Sequence, residues 1–113
     1  EIEDKNLISE SLRKGNILKT KLNELKDKSS NRISYILGEG LISAILFQDP
    51  VKNTPDSEIA SKIALKCYEK GLLVVHTGRE SIKLGPPLNI SDEALEEGIN
   101  VIIESFEEAI SWL

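Results

Sequence analysis

The stretch Leu72-Leu73-Val74-Val75-His76-Thr77-Gly78-Arg79-Glu80-Ser81-Ile82-Lys83-Leu84-Gly85-Pro86-Pro87 constrains the fold more than any other part of the chain. Leu72 to Val75 is a continuous apolar run, which predicts a strand in a sheet covered on both faces. Gly78 predicts a turn. Ser81 to Leu84 then alternates, so Ile82 and Leu84 share one face of a short second strand and Ser81 and Lys83 share the other. Pro86 and Pro87 have no N–H to give to a ladder and end it. Gly85, just before a proline, is biased toward extended backbone. The pattern leaves a cation, Lys83, on a short strand beside a rigid turn, a place suited to holding an anion.

The remaining elements fall around this stretch. Residues 6–28 are helical by period, with Leu7, Ser11, Gly15, Leu18, Leu22 and Leu25 three or four apart on one stripe. A glycine inside a helix costs roughly 1 kcal/mol against alanine, so Gly15 predicts a close packing contact. Ser29-Ser30-Asn31 ends the helix. Ile33 to Leu37 and Leu41 to Phe47 are strand candidates about Gly38-Glu39-Gly40. That lone Gly-x-Gly is no dinucleotide fingerprint, since it lacks the third glycine and no helical period follows. Thr54 is the expected cap of the next helix, with Pro55 in its first turn and Asp56 and Glu58 at the positive end of its dipole. Ile59, Ile63 and Cys67 mark its buried face, widened by Ala60 and Ala64, and Gly71 supplies a left-handed C-terminal cap. Ser91 caps a last helix whose apolar stripe is Leu95, Ile99, Ile102, Phe106, Ile110 and Leu113. The expected fold class is therefore α+β: a small, largely antiparallel sheet of about four strands covered by three helices.

Composition limits the function classes. The chain has 113 residues, enough for one domain with one core, and 29% charged residues with 40% hydrophobic ones exclude a disordered chain. A net charge of −5 argues against a general nucleic-acid binder. No apolar run approaches membrane-spanning length. Cys67 is the only cysteine, which fits a reducing compartment and a cytoplasmic protein. The absence of methionine and the start at Glu1 predict a fragment of a longer protein. Charge is uneven: lysines cluster from Lys14 to Lys28, and seven acids but no lysine or arginine follow Lys83. Both groups are expected first as solvated helix faces.

Order and spacing of these motifs carry a resemblance. Lys70-Gly71-Leu72-Leu73, then Ile82-Lys83-Leu84-Gly85-Pro86-Pro87-Leu88-Asn89-Ile90-Ser91, then Glu93, Leu95 and Gly98, resemble the C-terminal small domain of class III pyridoxal-phosphate-dependent aminotransferases, of fold type I. Those enzymes typically carry "K-G-L-L … I-R-L-x-P-P-L-x-I-(S/T)-x-E-E-L-x-x-G". Ile36-Leu37-Gly38-Glu39-Gly40-Leu41-Ile42 is similar to the family's "V-R-G-x-G-L-M". Two departures stand out, Lys83 and Leu37, each where the family usually has arginine.

The resemblance implies that the whole chain, residues 1–113, is one small domain of a larger enzyme. In such an enzyme the Schiff-base lysine and the acid that pairs with the pyridinium nitrogen lie upstream, in a large cofactor domain. No residue of this chain is therefore expected to be catalytic or to bind pyridoxal 5'-phosphate or a metal, and the fragment alone is expected to be inactive. The implied parent is a homodimer that moves an amino group from an amino acid to a 2-oxo acid, with donors such as 4-aminobutyrate, ornithine or acetylornithine. Racemases and an aminomutase share the scaffold, and a non-enzymatic module for small-anion binding or assembly is the competing class.

The substrate-binding candidates are Lys83 and Arg79. In the family the arginine of "I-R-L-x-P-P-L" commonly pairs with a substrate carboxylate, and a carboxylate leaving water needs a compensating charge. Lys83 keeps the charge and loses the planar fork of arginine, which leaves three readings: a carboxylate held less rigidly, a substrate whose acidic group differs or sits elsewhere, or a solvated strand lysine. Arg79, four residues earlier on the turn, is read either as the supplier of that fork or as an exposed turn arginine, and general surface statistics favour the second. His76 is expected as a hydrogen-bonded structural residue, since one histidine and one cysteine make no zinc site.

Overall fold

A computed structural model describes residues 2–39, 42–72, 74–76, 79–86 and 90–111, with side chains described from residue 8 onward, that of Glu39 excepted. The elements run α1 (Ile2–Asp27), β1 (Ile33–Glu39), β2 (Ile42–Phe47), α2 (Ser57–Glu69), β3 (Ser81–Leu84) and α3 (Asp92–Ile110). Leu41, Leu73, Gly78, Pro87, Leu88 and Leu113, and the side chain of Leu7, lie outside the described residues.

The three strands form one antiparallel sheet in the order β1-β2-β3. Register pairs Ile36 with Ile45, Leu37 with Ala44 and Gly38 with Ser43 in the hairpin, and Ile45 with Ile82 and Ala44 with Lys83 beyond it. Ser34 is the extra residue of a bulge between Ile33 and Tyr35, and its hydroxyl donates to Leu46 O at 3.2 Å. Gly38 is required by close approach: a Cβ there would sit 2.9 Å from Ser43 Oγ and 3.1 Å from Ile42 O. Gly15 of α1 is buried and lines a notch of about 80 Å³ together with Gly38 and Ser43.

All three helices lie on one side. Ile33, Ile45, Phe47, Ile82 and Leu84 face them and are buried. They meet Leu18, Leu22 and Leu25 of α1, Ile59, Ile63 and Cys67 of α2, and Leu95, Ile99, Ile102 and Phe106 of α3. Phe47 and Phe106 stack with centroids 6.2 Å apart, joining sheet to α3. Burial pushes the Cys67 thiol up from its ordinary range, the neighbouring Ser105 hydroxyl offsetting part of this. Cys67 is thus an inert core residue.

Several expectations need correction. The run Leu72 to Val75 is not a strand buried on both faces. Leu72 and Val74 are half-buried against the core, while Val75 is 56% exposed and joins the sheet through a single bridge to Lys83. Among the described residues the sheet therefore has three strands, not about four, because Val75 adds only one isolated bridge beside β3. The cap of α2 is Asp56, not Thr54: its Oδ1 accepts from Ile59 N at 3.1 Å. Pro55 stands outside the helix, bridged to Gln48, so the chain is still extended where a helical turn was expected. α1 starts at Ile2, four residues before the expected Asn6, and β1 runs to Glu39.

Other expectations hold. Gly71 has φ +88°, and Gly71 N donates to Tyr68 O at 3.0 Å while Leu72 N donates to Cys67 O at 2.8 Å. These two bonds form a Schellman motif, which needs the left-handed residue. Ser91 caps α3, its Oγ accepting from Ala94 N at 3.1 Å. The paired acids of α3 remain exposed to solvent: Lys70, at the end of α2, meets Glu108 at 3.0 Å and Glu104 at 3.7 Å.

Candidate functional site

The face of the sheet turned away from the helices is the candidate site. Alternation along β2 puts Ser43, Ile45 and Phe47 inside, so Ile42, Ala44 and Leu46 point outward. Register then extends the outward face across the sheet. Leu37 of β1, Ala44 of β2 and Lys83 of β3 form one row, closed by Val75 beyond Lys83. Tyr35, Leu46 and Ser81 form the next row. Tyr35 is 62% exposed, Leu37 51% and Ile42 68%, so this face is apolar and open.

Lys83 is exposed on this face. Its backbone is fixed on both sides. β2 pairs it with Ala44, and on the other side Val75 N donates to Lys83 O at 2.9 Å and Lys83 N donates to Val75 O at 2.8 Å. Among the described residues its ammonium has no ion-pair partner. A cation rigid at its Cα, set among apolar side chains and not neutralised by any described residue, is suited to take an anionic group from outside.

Arg79 does not join it. Its guanidinium is 78% exposed at the bend before β3 and approaches Glu80 at 3.7 Å. No hydrogen bond or ion pair links Arg79 to Lys83 among the described residues. His76 Nε2 lies 3.0 Å from Arg79 O and 3.4 Å from Ser61 Oγ. A carbonyl only accepts, so Nε2 carries the proton, and the histidine ties the turn together instead of facing a ligand.

A family model described as aminotransferase class-III matches residues 1–106. The chain belongs to that family. Among curated class III relatives, the mitochondrial acetylornithine aminotransferase of Saccharomyces cerevisiae is 31% identical over 109 residues, covering 96% of this chain and 23% of that protein. The 4-aminobutyrate aminotransferase of Escherichia coli is 30% identical over 110 residues, covering 95% of this chain and 26% of that protein. The crystal structure of acetylornithine aminotransferase from Elizabethkingia anophelis superposes with a TM-score of 0.80 at 33% identity, over 95% of this chain and 25% of that one. The chain thus spans about a quarter of the length of these relatives.

Within the class III pattern, the two departures noted in sequence meet in space. Leu37 and Lys83 stand in the same outward row with Ala44 between them. At about 4.8 Å per strand, their backbones are roughly 10 Å apart. This row keeps a cation at one end and is apolar at the other. Sequence reasoning found Lys83 and Leu37 separately through the motifs; only register shows that they share a row. It missed Tyr35, Ile42 and Val75 as parts of the open face, since apolar strand residues carry no signal that separates inside from outside when both faces are apolar.

The apolar cavity on the helix side does not fit the cofactor of class III enzymes. This cavity, of about 220 Å³, lies between α1, α3 and the exit of β3. Leu18, Leu84, Pro86, Ile90, Leu95 and Ile99 line it, with neither a lysine nor a carboxylate. A site for pyridoxal 5'-phosphate needs an amine for the aldehyde, an acid for the ring nitrogen and donors for the phosphate. These residues do not fit it. No group of three or more metal-ligating side chains occurs among the described residues.

Proposed function

We propose that this chain is the C-terminal, substrate-binding small domain of a pyridoxal-phosphate-dependent class III aminotransferase. The parent moves an amino group from an amino acid to a 2-oxo acid. The cofactor, its lysine and its acid partner belong to a large domain outside these 113 residues, and the chain by itself transfers nothing. The observation that carries this reading is Lys83: an ammonium without an ion-pair partner among the described residues, on an apolar sheet face that no described element covers. The large domain and a second subunit of a homodimer are the proposed occupants around that face. Relatives named for acetylornithine, 4-aminobutyrate and ornithine point to an ω-amino acid as donor. No helix of the chain is long and apolar enough to cross a membrane, and relatives named mitochondrial make the mitochondrion as well as the cytoplasm a compartment for the parent.

In this reading Lys83 holds the carboxylate of the substrate by a charge-assisted hydrogen bond. Losing such a bond costs about 1.5–3 kcal/mol, or roughly ten- to a hundredfold in binding. In the full-length protein, Lys83→Ala is expected to raise KM for the acidic substrate by that factor while the cofactor still loads, as its absorbance shows. Lys83→Arg is expected to keep KM within a few-fold. An unchanged KM in Lys83→Ala removes Lys83 from the site.

A further inference from the structure

β3 divides its side chains by chemistry. Ile82 and Leu84 are buried against the helices, while Ser81 is half-buried and Lys83 exposed on the outward face. Register places Ser81 in one row with Leu46 and Tyr35, directly beside the row of Leu37, Ala44 and Lys83. The hydroxyl and the ammonium thus stand together on β3, at the edge of a face whose other members are mainly apolar. The backbone is held on either side of Ser81: Phe47 N donates to Glu80 O at 2.8 Å, and Lys83 exchanges two bonds with Val75.

Among the described residues the Ser81 hydroxyl makes no hydrogen bond. In water that is harmless. Beneath a cover it is not, because a hydroxyl taken out of water without a partner is penalised. The group that Lys83 holds supplies the partner. An ionised carboxylate only accepts, and it accepts at both oxygens. The planar fork of an arginine would serve both, whereas a lysine is a point charge that leaves one without a fixed donor. Neighbours on one face of a strand are two residues, or about 7 Å, apart. Hydrogen bonds of about 2.8 Å on either side of a carboxylate span that gap, with the flexible stem of Lys83 to adjust it.

We propose that Ser81 is a second substrate-binding residue, whose hydroxyl donates to the carboxylate oxygen that the Lys83 ammonium leaves free. This deepens the reading of Lys83 and rests on it. Two side chains of β3 then do what a single fork would do.

The test uses the full-length protein and 4-aminobutyrate, acetylornithine or ornithine, whichever it turns over fastest. Ser81→Ala, Ser81→Thr, Lys83→Ala and the double variant are compared in KM and kcat, with the absorbance of the loaded cofactor as the check on folding. Ser81→Ala should raise KM about tenfold, as expected for one lost hydrogen bond to a charged group, with kcat within twofold. Ser81→Thr keeps the hydroxyl and should stay within threefold of the unsubstituted protein. With Lys83→Ala already present, Ser81→Ala should add less than threefold, because the carboxylate is no longer held beside it. An unchanged KM in Ser81→Ala, while Lys83→Ala raises KM, overturns the role of Ser81 and leaves that of Lys83 standing. An equal rise in both backgrounds means that Ser81 serves something other than this carboxylate, and also overturns it. An unchanged KM in Lys83→Ala sinks the reading of Lys83 itself, and the role of Ser81 falls with it. Turnover of none of the three donors overturns the ω-amino acid reading and this inference together. Ser81→Cys, which keeps the size and only a weak donor, gives the same comparison should Ser81→Ala fail to load the cofactor.

Discussion

The two faces of the sheet are nearly alike in sequence and opposite in fate. Along β2, Ser43, Ile45 and Phe47 are buried, whereas Ile42 is 68% exposed and Ala44 and Leu46 are half-buried. Both sets are mainly apolar. The difference lies in the helices: α1, α2 and α3 spend their apolar stripes on the inner face and leave none for the outer. An antiparallel sheet that faces water on one side ordinarily carries polar residues there. Here it carries Tyr35, Leu37, Ile42 and Val75, with Lys83 among them. A large apolar patch with a cation in it is the mark of an interaction surface. The comparison teaches that the inner face makes the fold and leaves the outer face open for the function proposed for it.

That claim is strongest where one residue type occurs on both faces. Ile45 is 0% exposed and Ile42 is 68% exposed, three residues apart on one strand. Ile45→Ala should cost about 2–5 kcal/mol, because it opens a cavity in the core. Ile42→Ala should stay within about 0.5 kcal/mol in the isolated chain. Denaturant unfolding of both variants measures the difference. A cost above 1 kcal/mol for Ile42→Ala, rising with protein concentration, breaks the comparison in an informative way: two copies then cover each other's outer face.

A smaller effect sits where the chain passes from the inner side toward the outer. Gly71 ends α2 in the left-handed region and turns the chain so that Leu72 meets the core and Val75 reaches the outer edge. Gly71→Ala should cost about 1 kcal/mol, since a Cβ meets no neighbour there and only the backbone conformation is penalised. A shift in the unfolding midpoint with an unchanged slope against denaturant checks it.

How much of this was legible follows from which signals have a period. The stripes of α2 and α3, the Ser91 cap and the Gly71 cap were readable, because helical period and capping chemistry are local. The β1–β2 hairpin was readable too, apart from its length. One-sidedness of the sheet was not, since Ile42-Ser43-Ala44-Ile45-Leu46-Phe47 gives an inner and an outer face that are almost equally apolar. Thr54 signals a cap two residues too early: the bridge of Pro55 to Gln48 keeps the chain extended there and leaves Asp56 to cap α2. Lys83 was legible only through its motif. The pairing of Arg13 with Asp92 joins positions 79 residues apart, beyond any local pattern.

The smallest effect sharpens the comparison at the rim of the inner layer, where α1 meets α3 by charge and not by packing. The Arg13 guanidinium, hydrogen-bonded to Asp92, holds that carboxyl below its usual range, and the nearby Lys14 charge adds to this. Arg13 lowers Glu10 in the same way. A carboxyl whose folded value is lowered contributes stability that is present above its unfolded value. That contribution disappears as pH falls through the folded value, because the folded state then gains the proton that the unfolded state already holds. The window therefore opens near pH 4, the ordinary value for aspartate and glutamate, and extends below it. The melting temperature of the unsubstituted protein should exceed that of Asp92→Asn by a constant small margin from pH 7 down to about 5. Below about pH 4 the two should converge. High salt should shrink the margin at neutral pH, because the pair is exposed and screened. Ile45→Ala, which removes packing and no charge, should show no such pH or salt dependence. A margin for Asp92→Asn that persists at pH 2 would mean that Asp92 serves α3 through something other than its charge.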